Sequence, residues 1–150
     1  ALAAAVERGA ASGDLGLEME ANATLLRALV DEPDALVPLC AGVMDGYLAA
    51  VPGSPGDGAM LDGAARMQLM ARSPLVSSAL STLAGLPAAD FKRVALPAVF
   101  ARACGLVRSE HADADARAAL AAFFSKVGEE LVFDYGEQYW TKERNLRPLP

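Results

Sequence analysis

The chain has 150 residues, 53% of them hydrophobic, with 13 Lys and Arg against 19 Asp and Glu for a net charge of -6. That is room for one domain with a sizeable core, and the acidic balance excludes general nucleic-acid binding, which needs basic residues to displace phosphate counterions. The lack of any run of about 18 apolar residues excludes a spanning helix, and two cysteines without CxxC or His/Cys spacing exclude a disulfide framework or a zinc site.

The opening Ala1–Val6 is too short for a signal segment and has no basic flank, so an intracellular, reducing setting is expected. A chain without an initiating Met is also expected to be processed or cut from something longer. Leu17 to Val30 reads as a first helix, with Leu25, Leu26, Leu29 and Val30 as its apolar side. Asn22-Ala23-Thr24 fits a glycosylation sequon, but it falls inside this helix and reads as chance. Asp31-Glu32-Pro33 ends the helix. From Asp34, an expected N-cap, the residues Leu36, Leu39, Cys40, Val43, Met44, Tyr47, Leu48 and Val51 keep helical spacing over about five turns, with Pro38 near enough to the first turn to be tolerated.

Pro52 to Gly58 is a loop. Its glycines lack the order and the Lys of a phosphate-binding loop. A helix over 59–72 is predicted next, with Ser73-Pro74 opening another as N-cap and first residue. Leu75, Val76, Ala79, Leu80 and Leu83 form its buried stripe, and Gly85 ends it. Leu96, Val99, Phe100, Ala103, Cys104 and Val107 share the next face, with a kink or break expected at Pro97. Ser109 to Asp115 is a polar turn. Asp113 or Asp115 is then the expected cap of a helix carrying Ala116, Leu120, Phe123, Phe124 and Val127.

The prediction is an all-α chain of three antiparallel helix pairs, each of about 35–40 residues, near the HEAT and armadillo period. A compact six-helix bundle is the alternative architecture. Residues 1–127 form the helical domain, and 128–150 form a tail that is either a continuing helix or an extended segment beyond Gly128.

Candidate chemistry is sparse. His111, Asp113 and Asp115 form an H-x-D-x-D string, but too few ligands surround it for a metal site, and helix capping accounts for the same residues. His111 has no nucleophile motif near it. Cys40 and Cys104 sit on apolar stripes and are expected to be buried thiols. No catalytic, cofactor or metal residue is assigned from composition or spacing.

Two resemblances add to this reading. Gly128-Glu129-Glu130-Leu131-Val132-Phe133-Asp134-Tyr135-Gly136, followed by Tyr139-Trp140, resembles the closing motif of SET-domain lysine methyltransferases, with Ala122-Phe123-Phe124-Ser125 similar to the strand before it. That resemblance implies methyl transfer from S-adenosylmethionine to a lysine amine, with Tyr135 in the lysine channel. The N-H-x-C-x-P-N segment and the Gly-rich cofactor strand of that family are missing.

Residues 36–127 resemble the middle HEAT repeats of the importin-β superfamily, particularly the transportin-SR type. The resemblance is carried by Pro38-Leu39-Cys40, the Pro52–Asp57 loop, Asp62, Ala65-Arg66, Arg72-Ser73-Pro74, Val94 to Ala103, and Asp113-Ala114 leading to Phe123-Phe124. It implies a segment of a right-handed superhelix that binds basic cargo or a Ran-type GTPase, shared between cytoplasm and nucleus. The expected function is therefore a protein-binding helical-repeat segment, with the question of enzymatic activity left open. A SET-type methyltransferase and a structural subunit of a larger assembly are the alternatives.

Overall fold

Apolar residues recurring every three to four positions dominate this sequence, and the backbone follows them into helices. The computed structural model describes residues 15–51 and 63–146, with side chains through residue 131. The helices are α1 (Leu15–Ala28), α2 (Pro33–Ala50), α3 (Gly63–Ala84), the short α4 (Ala88–Asp90), α5 (Leu96–Arg108) and α6 (Ala114–Leu146), with a π-helical turn (Phe91–Ala95) joining α4 to α5. The fold is all-α, as the periodicity predicts. The Pro52 to Gly58 loop lies outside the described residues.

Helix starts differ from the sequence reading in two places. Asp34 is not the cap of α2. Glu32 holds the N-cap position without a side-chain bond, and its carbonyl accepts from the Ala35 and Leu36 N–H groups at 3.0 and 2.8 Å. Pro33 takes the first helical position, where a missing N–H costs nothing. Ser73-Pro74 does not open a helix either, because α3 runs straight through it. Leu69, Ser73, Val76, Leu80 and Leu83 are all buried at i, i+4, i+7, i+11 and i+14. Breaking the helix at Pro74 would split that stripe, and its burial outweighs the roughly 3 kcal/mol that an interior proline costs. The second predicted pair is therefore one long helix.

Pro97 does not break its helix, and the π-turn explains how. Leu96 N–H donates to the Phe91 carbonyl, five residues back. The widened turn falls immediately before the proline, where a regular helix would meet both a ring clash and an unpaired carbonyl. Asp113 does cap α6, its Oδ1 accepting from Ala116 N–H at 2.8 Å. The helix then passes through Gly128 to Leu146, so the extended alternative for the tail is not adopted.

Paired contacts fix the helix directions. Glu18–Arg72 at 3.5 Å near the start of α1, and the groove shared by Leu26 and Arg27 with Ser78 to Thr82 near its end, make α1 parallel to α3. Ser73–Asp113, with Ser81 and Ala122 lining one groove further along, makes α6 parallel to α3. On the other side, Asp34–Arg93 at 3.2 Å, Asp45–Arg102 at 2.8 Å and Leu48 against Gly105 make α5 parallel to α2. Cys40 donates to the Ala79 carbonyl while Gly46 meets Arg72, so α2 is antiparallel to α3. Two rows result, α1–α3–α6 and α2–α5, running in opposite directions. One continuous core joins them, from Leu26 to Val127, with Tyr47, Phe91 and Phe123 its largest fully buried side chains.

Candidate interaction surface

Within the row α1–α3–α6, the C-terminal half of α3 and the stretch of α6 beside it carry no charge. Between Arg72 and Asp90 the sequence has no charged residue, and none occurs between Arg117 and Lys126. Met67, Met70, Pro74, Ser78 and Ser81 are exposed and fall within about 80° of one another around α3. The solvent side of a surface helix ordinarily carries charge. Here it carries methionine, proline and serine, and the two methionines are each 69% exposed.

A groove lies on each side of this stripe. The α1 side is a groove of about 450 Å³ lined by Ala23, Leu26, Arg27 and Val30 against Ser78, Ser81 and Thr82. The α6 side is a groove of about 410 Å³ lined by Ala118, Ala119, Ala122 and Asp115 against Ser77, Ser78 and Ser81. The Ser77 hydroxyl is buried and has no hydrogen-bond partner among the described residues. Thr82 is different, because its hydroxyl bonds back to the Ser78 carbonyl at 2.7 Å.

The polar turn between α5 and α6 is a structural latch. Ser73 donates to Asp113 Oδ2 at 2.6 Å, and Arg117 donates to the carbonyls of Ala112 and Ser109. The Ser73 hydroxyl and the Ala116 N–H hold the Asp113 carboxyl below its ordinary pKa. Beneath the turn, burial pushes the Tyr47 phenol up, with the Ser109 hydroxyl opposing that rise. The buried Tyr47 hydroxyl has no hydrogen-bond partner among the described residues.

His111, Asp113 and Asp115 are not brought together as ligands. No group of three such side chains that could hold a metal occurs among the described residues. Cys40 is fully buried, and desolvation pushes its thiol up to about 12. Cys104, expected to be buried, is partly exposed. The side chain of Tyr135 lies outside the described residues, although its backbone belongs to α6. No described helix is long and apolar enough to cross a membrane.

Apolar spacing located the buried side of α3 but missed its outer stripe, because serine and proline read as capping signals. The legible signal was the absence of charge across three turns. The SET-like reading is also corrected: Ala122 to Ser125 and the motif after it are helical, where that resemblance requires a strand. The importin-like reading rested on helix-packing positions that many helical proteins share. Searches of curated proteins and of solved structures return no match. Residues 18–125 match the family described as BIG2 C-terminal domain, which overturns both resemblances. The chain belongs to the BIG2 C-terminal domain family.

Proposed function

We propose that this chain is a protein-binding helical module whose partner seats on the α1–α3–α6 row. The uncharged stripe from Met67 to Ser81, with a groove along each flank, carries this reading. Desolvating such a surface costs little, and its small side chains let a helix approach closely. Exposed methionines adapt to a partner's shape. The parallel order within each row also supports an array of stacked helix hairpins, since neighbours in an up-and-down bundle alternate in direction.

The partner proposed is a helix with small residues on its contact side and basic residues at its margins, drawn by the net charge of -6. The test is affinity capture with the wild-type chain and with the double variant Ser78→Glu/Ser81→Glu. Both positions are exposed, so folding should be unchanged by circular dichroism. Loss of a saturable partner in the variant is expected. Equal capture by both proteins would place the interaction elsewhere.

A further inference from the structure

The apolar surface of α5 is wider than its core requires. Val99, Ala103 and Leu106 are buried, and Arg102 and Gly105 face α2 through Asp45 and Leu48. Phe100 precedes Arg102 by two positions and Val107 follows Gly105 by two. Two residues turn a helix by about 200°, so both lie on the side of α5 away from α2. They are 42% and 50% exposed, with Cys104 partly exposed between them. Pro97 and Ala101 are exposed next to this strip, which gives α5 a second apolar side at i, i+3, i+4, i+7 and i+10. Phe124 of α6 flanks it, its ring edge-on to Phe100 at 5.9 Å. Where the row α2–α5 stops, α5 thus presents a packing side instead of a polar one.

Charge identifies what fits there. From Phe91 to Ser109 every charged residue is basic: Lys92, Arg93, Arg102 and Arg108. Lys92, Arg93 and Arg102 are engaged by Glu130, Asp34 and Asp45. Arg108, one turn beyond Cys104, is exposed at the end of the strip. The Arg117 guanidinium reaches the same end, 3.4 Å from the carbonyl of Ser109. On a protein whose net charge is negative, this end of the strip carries the exposed Arg108 and the nearby Arg117 guanidinium, with the single carboxylate of Glu110 exposed just beyond them. We infer that the side of α5 that the described residues leave uncovered is a docking site for an amphipathic helix of a partner protein, laid alongside α5 as α5 lies alongside α2. Its apolar residues would recur at i, i+3 or i+4 and i+7 to meet Phe100, Cys104 and Val107, with acidic residues at the end beside Arg108. This site uses none of the residues of the stripe and grooves on α3, so it stands or falls separately from the function proposed above.

Cys104 serves as an internal reporter. The probe is a synthetic 18-residue helix with leucines at that spacing and glutamates at one end. Its binding is followed by the rate of Cys104 alkylation, with fully buried Cys40 as the silent reference. Saturable protection of Cys104 is expected, with apparent Kd rising about tenfold or more in Val107→Glu, equivalent to about 1.4 kcal/mol. The variant Arg108→Glu keeps the apolar strip and should weaken the same peptide while favouring one in which lysines replace the glutamates. Absence of protection in the wild-type chain, or equal affinity in all three proteins, overturns the site. Protection that appears with protein concentration alone, alongside a dimer in sedimentation, also overturns it in favour of a second copy.

Discussion

Asp113 shows how one side chain can join two helices. It caps α6 through the Ala116 N–H and accepts from Ser73 of α3, so Asp113→Ala loses both interactions. A destabilisation of about 1–2 kcal/mol in urea titration is expected from the cap and the side-chain bond together. The sign of its pH dependence follows from the lowered carboxyl pKa. The folded chain holds the charged form more tightly than the unfolded chain does. The contribution is therefore full above the ordinary carboxylate pKa of about 3.9 and is lost as pH falls through the lower folded value. Asp113→Asn should flatten that part of the acid limb, and an unchanged slope would show that the latch carries no linkage. The sequence narrowed the cap to Asp113 or Asp115, since an Asp before an alanine-rich helix is a start signal, and the bond to Ala116 selects Asp113. Its bond to Ser73, forty residues away, was not legible there, because sequence patterns report local partners only.

At the scale of elements, the sequence revealed which residues are buried more reliably than where helices begin. The stripe Leu75, Val76, Ala79, Leu80 and Leu83 is buried as the spacing predicts. The break assigned to Ser73-Pro74 is absent because local proline chemistry lost to a buried stripe that continues on both sides. Pro74 is exposed and lacks the N–H that would reach the Met70 carbonyl. Pro74→Ala restores that bond and should stabilise the chain by about 1–3 kcal/mol, seen as a higher denaturation midpoint with an unchanged slope. A loss of stability would mean that the ring itself packs usefully. Gly42 gives a milder comparison. It sits within α2, and a Cβ added there would have nothing within 4 Å, so Gly42→Ala should add about 0.5–1 kcal/mol. Gly46 differs, since a Cβ there would come within 2.8 Å of the Arg72 guanidinium and would push it off Glu18.

For the whole molecule, the direction of each helix was not readable from the sequence, because periodicity gives a face and not a neighbour. The rows come instead from tertiary pairs such as Asp45–Arg102 and Ser73–Asp113. Stacked helix arrays can unfold piece by piece when each unit touches only its neighbours. This chain has a different constraint, for a single cluster of buried residues runs from Leu26 through Phe91 to Val127. Phe123 belongs to it, fully buried, 5.5 Å from the Phe91 ring and 5.4 Å from that of Phe124. Removing that ring takes packing from α6 and from the π-turn together. Phe123→Ala should cost about 3–5 kcal/mol. Because the cluster is shared, helix content by circular dichroism and the exposure of Cys40 to alkylation should shift together to lower denaturant, within one transition. Cys40 lies between α2 and α3, far along the chain from the substitution. If helix signal were lost before Cys40 became reactive, α6 would be unfolding alone and the two rows would be separable units.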